Sequence, residues 1–250
     1  MAEDWYRIAN EGEIPSPALL VYPDRIFRNL ERMVEIICDP NRLRPHVKTH
    51  KLPEIIGMQL SVGITKFKCA TIAEAEMVAG SRGPDVLLAY QPVGPNAVRL
   101  RFLADRYPDT LWSTLVDDLG MVQILSEVFA GAESGLGVYL DLDCGMHRTG
   151  IEPGPNRLCL DLGHKAVAAD KPLPRARLFG LEEAVSAMHS EEHLTVETDQ
   201  ADSFAVGDCC YAVPAHICPT VALHDIAWVV RDGSATQSWE ISARRRSLGV

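Results

Sequence analysis

The first 150 residues alternate short apolar runs with amphipathic stretches, and this alternation limits the fold more than any other feature. Ala18–Tyr22 reads as a strand. Pro23-Asp24 then opens a helix whose apolar positions Ile26, Leu30, Met33, Val34 and Ile37 share one face. Asp39-Pro40-Asn41 stops that helix, and Leu43–Lys48 is the next strand. Helices predicted over Pro53–Val62, Ile72–Ala79, Asn96–Tyr107 and Leu119–Phe129 lead in turn to strands Lys66–Ala70, Asp85–Tyr90, Leu111–Val116 and Gly137–Leu142. Strands separated by helices pair in parallel through right-handed crossovers. An open doubly wound sheet and a β/α barrel both satisfy this α/β pattern.

Beyond Gly150 the texture changes at the breaker cluster Pro153-Gly154-Pro155-Asn156. Short β runs follow at Leu158–Leu162, Ala166–Ala168, His193–Glu197, Asp208–Val213, Ile226–Val230 and Ser238–Ala243, with turn residues such as Asp232-Gly233 between them. That spacing predicts antiparallel pairing. Two domains are expected, 1–157 with the β/α units and 158–250 with the antiparallel strands. A full eight-stranded barrel takes roughly 200 to 250 residues by itself, and only six strands are predicted before the break. If the first domain is a barrel, its last few units are missing.

The 250 residues are 47% hydrophobic and 23% charged, enough to bury a real core. A net charge of −10 argues against a nucleic-acid partner, because no basic stripe is available to neutralise a phosphate backbone. No apolar run approaches the length of a membrane span. Met1 to Ser16 is polar and acidic, unlike a signal peptide. Seven scattered cysteines make an odd count with no regular framework, so reduced thiols in a cytoplasm are expected.

Arg44-Pro45-His46-Val47-Lys48-Thr49-His50-Lys51 ends the second strand. Polar residues at the C-terminal ends of β/α strands sit where such folds place their chemistry. A lysine there becomes a nucleophile when its neighbours lower its pKa. By itself the octapeptide also suits a solvated basic loop. The stretch closely resembles the cofactor-lysine motif of the D-serine dehydratase and D-threonine aldolase family, whose barrels are like that of alanine racemase. The resemblance implies a pyridoxal-phosphate (PLP) lyase of D-amino acids, with Lys48 as its Schiff-base lysine and His46 beside the cofactor. Lys51 is expected to be an ordinary loop charge.

A second match follows about a hundred residues on. Asp141-Leu142-Asp143-Cys144-Gly145-Met146-His147-Arg148-Thr149-Gly150 looks like the family's D-x-G-M-x-R-x-G signature. The resemblance assigns Arg148 to the cofactor ring oxygen and the substrate carboxylate, a role suited to a planar, permanently charged donor.

The third signal is Pro214-Ala215-His216-Ile217-Cys218-Pro219-Thr220. On an extended strand, residues two apart face one side, so His216 and Cys218 could converge on an ion suited to imidazole and thiolate. As a bare motif His-x-Cys is weak, since structural zinc needs four ligands. Family D-serine dehydratases carry such a zinc pair here, and D-threonine aldolases show His-x-Asp. The resemblance therefore implies zinc on His216 and Cys218 and tilts the reaction towards dehydration of D-serine to pyruvate and ammonia. Retro-aldol cleavage of D-threonine is the alternative, and a non-catalytic remnant is a third reading because of the missing units.

Two other clusters are less telling. His189-Ser190-Glu191-Glu192-His193 resembles family sequence without an assignable role. Lys165, in Asp161-Leu162-Gly163-His164-Lys165, is a poor rival for the Schiff-base lysine. By resemblance the protein pairs head to tail as a homodimer, taking a small D-amino acid as substrate.

Overall fold

The computed structural model describes residues 5–145, 149–151 and 156–244. Helix α1 (Pro23–Ile37) begins with proline at its first position, where a missing N–H costs nothing. After it come α2 (Pro53–Ser61), β1 (Lys66–Cys69), α3 (Ile72–Gly80), β2 (Asp85–Leu88), α4 (Pro95–Arg106), β3 (Leu111–Val116), α5 (Leu119–Val128) and β4 (Leu136–Leu140). Side chains fix two of these helix starts. Thr71 Oγ1 accepts from the Glu74 N–H at 3.2 Å, and Asp118 Oδ1 accepts from the Met121 N–H at 2.9 Å.

The four strands form one parallel sheet in the order β1-β2-β3-β4. The predicted strand Leu43–Lys48 contributes only a parallel bridge between His46 and Lys68, and its last residues turn into a short 3-10 helix over Val47–Thr49. The predicted strand at 18–22 is absent: Leu19, Leu20 and Val21 stand exposed, with no neighbouring strand to pair with.

Burial follows the two-residue strand period. Phe67, Cys69, Val86, Leu88, Trp112 and Val116 face the helices and are buried with Ile56, Ile64, Val78 and Leu100. β4 breaks the pattern. Its register puts Val138 opposite Thr114 and Leu140 opposite Val116, yet they are 50% and 60% exposed. Among the described residues no further β/α unit follows to cover them, and the next strands, beginning at Arg157–Leu160, pair antiparallel.

Those strands are β5 (Arg157–Leu160), β6 (Ala176–Leu178), β7 (Val185–His189), β8 (Leu194–Glu197) and β9 (Ala212–Pro214); a short helix α6 (Ile217–Val221) and the hairpin β10 (Ile226–Arg231) and β11 (Ser234–Glu240) follow. β5, β8 and β7 make one antiparallel sheet, β6 and β9 a second, β10 and β11 a third. Leu178, Leu181, Leu194 and Val196 form the small core there. β6 and β7 had no counterpart in the sequence pattern, and Ala166–Ala168 is a turn, not a strand. No helix among the described residues is long and apolar enough to cross a membrane.

The uneven cover of the sheet makes a direct test. Phe67→Ala, deep between sheet and helices, is expected to cost about 3–5 kcal/mol. Leu140→Lys on the open strand should stay within about 0.5 kcal/mol. Urea denaturation of both variants checks the contrast.

Candidate active site

In a parallel sheet every strand ends at the same rim, and the lysine segment is fastened so that Lys48 reaches it. The Arg44 guanidinium holds Asp85 at the start of β2 with two bonds, 2.6 and 2.9 Å. The Lys68 N–H donates to Pro45 O at 2.9 Å, and Val47 is fully buried. His46 Nδ1 then accepts from the Lys48 N–H at 3.3 Å and closes the turn. Its other end is tied by Lys51, which has a positive φ and pairs with the buried carboxylate of Glu74. Glu74 also accepts from the Ala70 N–H at 2.7 Å. Lys51 is thus an anchor of the loop and not an ordinary surface charge.

The Lys48 amine meets a carboxylate that the sequence reading left without a role. Its Nζ lies 3.1 Å from Glu191 Oε1, and Glu191 Oε2 lies 2.9 Å from Lys165 Nζ. Lys165 reaches Glu192 as well, at 2.7 Å. Glu191 sits at the tip of the β7–β8 hairpin, gripped from the 163–165 segment. There the Gly163, His164 and Lys165 N–H groups donate to the carbonyls of Glu192, Ser190 and Glu191. Gly163 permits this approach, because a Cβ at that position would fall 2.2 Å from Glu191 O. Tyr90, just past β2, shares the rim, its ring centroid 6.4 Å from that of His193. The only advance signal for Glu191 was the polar run 189–193; for Tyr90 there was none.

Burial pulls the Lys165 amine down, but the hydrogen bonds it donates to Glu192 and Glu191 outweigh it and hold the group above the ordinary lysine value. That makes Lys165 a poor nucleophile. Hydrogen bonds from Lys165 and Lys48 lower the Glu191 carboxyl to about 2. Burial, aided by the Lys48 and Lys68 charges, lowers His46 to about 4, so a neutral imidazole stands beside the Lys48 turn.

The second motif is closed at its base. The Gly150 N–H donates to Asp117 Oδ2 at 3.1 Å, and Leu142 and Ile151 form a parallel bridge. Gly150 is therefore held beside the end of β3. Arg148 itself lies outside the described residues.

The third motif departs from its expected geometry. His216 caps α6 and Cys218 lies within that helix, so the pair is not extended and does not share a strand face. Proline at 219 sits comfortably in a first helical turn, which accounts for the helix. His216 Nδ1 is 2.5 Å from Asp170 Oδ2, an interaction that lowers the Asp170 carboxyl. Among the described residues no group of three or more His, Cys, Asp or Glu is arranged to hold an ion. These donors do not by themselves make the four-ligand set of a structural zinc.

Residues 151–230 match the family described as "Putative serine dehydratase domain". The chain is 37% identical to a D-threonine aldolase of an Arthrobacter species over 64% of its length, and 28% identical to a D-threo-3-hydroxyaspartate dehydratase of Delftia sp. (strain HT23) over 60%. It spans 39% of the length of each of these curated relatives. An uncharacterized Mycobacterium tuberculosis protein is 34% identical, with 78% of it covered by 40% of this chain. The D-threonine aldolase structure from Filomicrobium marinum superposes with a TM-score of 0.53 at 19% identity, covering 94% of this chain and 96% of that one. The fold is thus an alanine-racemase-like α/β barrel, incomplete here, followed by antiparallel β structure. The chain belongs to the D-serine dehydratase and D-threonine aldolase family.

Two outcomes follow from the site. Gly163→Ala is expected to push the hairpin tip away and cost about 1–3 kcal/mol, visible as a lower thermal midpoint. His46 binds its proton less readily folded than unfolded, whose value is 6.5. Stability present above pH 6.5 should therefore be lost as pH falls towards about 4. His50 and His189 are lowered in the same direction, so His46→Gln should flatten only part of the slope in a pH series of melts.

Proposed function

We propose that this chain acts as a PLP-dependent lyase on small D-amino acids with a β-hydroxyl, dehydrating D-serine. The observation that carries the reading is the Lys48 amine at the C-terminal rim of a parallel sheet, its side chain 27% exposed and its loop anchored at both ends. An accessible amine at a rim fits the aldehyde end of the cofactor. Lys48 would hold it covalently and, once displaced by substrate, would stand ready to take a proton from the substrate's α-carbon. When bound, PLP supplies an electron sink for bonds at that carbon. His46 is neutral and fixes the turn that aims Lys48. By the family resemblance, Arg148 would take the substrate carboxylate.

Cleavage of the Cα–Cβ bond is the competing outcome, supported by the D-threonine aldolase relative. No step is routed through His216 and Cys218, since among the described residues they belong to no group of three or more metal-donor side chains.

A non-catalytic descendant is the second reading, and the open β4 edge favours it. Residues 141–156 leave no room for the remaining barrel units, from which a phosphate cradle of backbone N–H groups would be expected. Pairing as a homodimer belongs to the proposal as well, with the β region of one copy beside the other's rim.

Incubation with PLP followed by borohydride is expected to place a pyridoxyl group on Lys48, located by peptide mass mapping and lost in Lys48→Ala. A label on Lys165 alone would reject the assignment. Assays with D-serine, D-threonine and D-threo-3-hydroxyaspartate then choose the reaction, and no turnover of any supports the descendant.

A further inference from the structure

We infer that Glu191 is a positioning residue for Lys48, delivered by the tip of the β7–β8 hairpin to hold the amine in an ion pair that must open before it attacks an aldehyde. The inference rests on the proposed role of Lys48. Attack requires Nζ to give up a proton so that its lone pair forms the new C–N bond, while the aldehyde oxygen leaves as water. An amine donating to Glu191 at 3.1 Å has neither the lone pair nor the freedom for this.

The surroundings make Glu191 the group that decides. From its own segment Lys48 is flanked by His46, His50 and Lys51; β1 brings Lys68 and α3 brings Glu74. Glu74 is committed to Lys51 and the Ala70 N–H. From the hairpin come Glu191 and Glu192, and Glu192 is engaged by Lys165. Among the described residues Glu191 is therefore the carboxylate recorded on Lys48. Its place does not depend on that contact, since three backbone bonds and the bare Gly163 grip the tip. Lys165 takes its other oxygen, so Glu191 faces the rim with its charge held between two amines.

Reductive methylation by formaldehyde and cyanoborohydride reads the amine directly, without cofactor or turnover. In Glu191→Gln the Lys48 labelling rate, relative to Lys66 on β1, is expected to rise about two- to five-fold, the worth of a partly exposed ion pair. Glu191→Asp should fall between the two. In the unmodified protein, raising salt should speed Lys48 labelling by screening the pair, and the Gln variant should lose that salt dependence. Unchanged or slower labelling in Glu191→Gln would overturn the inference. If that variant does not fold, an absent salt effect in the unmodified protein does so instead. Faster methylation of Lys48 with no PLP attached at any lysine would leave the positioning role standing and reject the cofactor reading. PLP attached equally to both proteins with methylation unchanged would do the reverse.

Discussion

Parallel pairing is the constraint on which the rest of this structure depends. Strands that run the same way end on the same side, so residues far apart in sequence arrive at one rim without any direct attraction between them. Tyr90, Asp117 and Asp141 follow strand ends in this sheet, and Lys48 follows the His46 bridge to β1. The Arg44–Asp85 pair matters for that reason: it locks the lysine segment to the sheet's opposite edge, where the strands begin. With the segment's start fixed, its level against β1 decides where Lys48 emerges.

The rim is then covered from the second half of the chain. A hairpin tip is normally a flexible place, but here its carbonyls are taken by three successive N–H groups of the 163–165 segment. That pairing places two carboxylates opposite two lysines. The net effect is a small neutralised cluster over Lys48, in a protein whose overall balance is strongly acidic. Burial keeps the neighbouring His46 neutral, and this spares the rim a further positive charge at ordinary pH.

The open side of the sheet is the main departure from a closed barrel. On β1 and β2 the helix-facing residues are buried, whereas on β4 they are not, although the register is continuous. The difference lies in cover: α3 packs over β1 and β2 and α5 over β3, whereas on β4 Leu136 joins the core but Val138 and Leu140 stay exposed. An unpaired edge with apolar side chains is a liability that closed barrels avoid. The chain spans 39% of the length of each of these two curated relatives.

Local rules made much of this legible. The five long helices and the strands β1 to β4 follow from periodicity and breakers, with ends within a residue or two, because each has a strong repeat of its own. The lysine, glycine-loop and His-x-Cys motifs were visible as residue strings. The strand expected at 18–22 failed because an apolar run pairs only if a neighbour is present. His216 and Cys218 were expected on a strand and instead open a helix. Their spacing was plain in the sequence, but the backbone conformation that converts spacing into direction was not. Glu191 shows the same limit most clearly. The sequence by itself determined that Lys48 would lie between α1 and α2, just past the residue that bridges β1, since turn residues and apolar periodicity act over a few neighbours. Only the tertiary structure decided what faces that amine, because a contact across 143 residues depends on how a hairpin and a glycine-bearing segment pack.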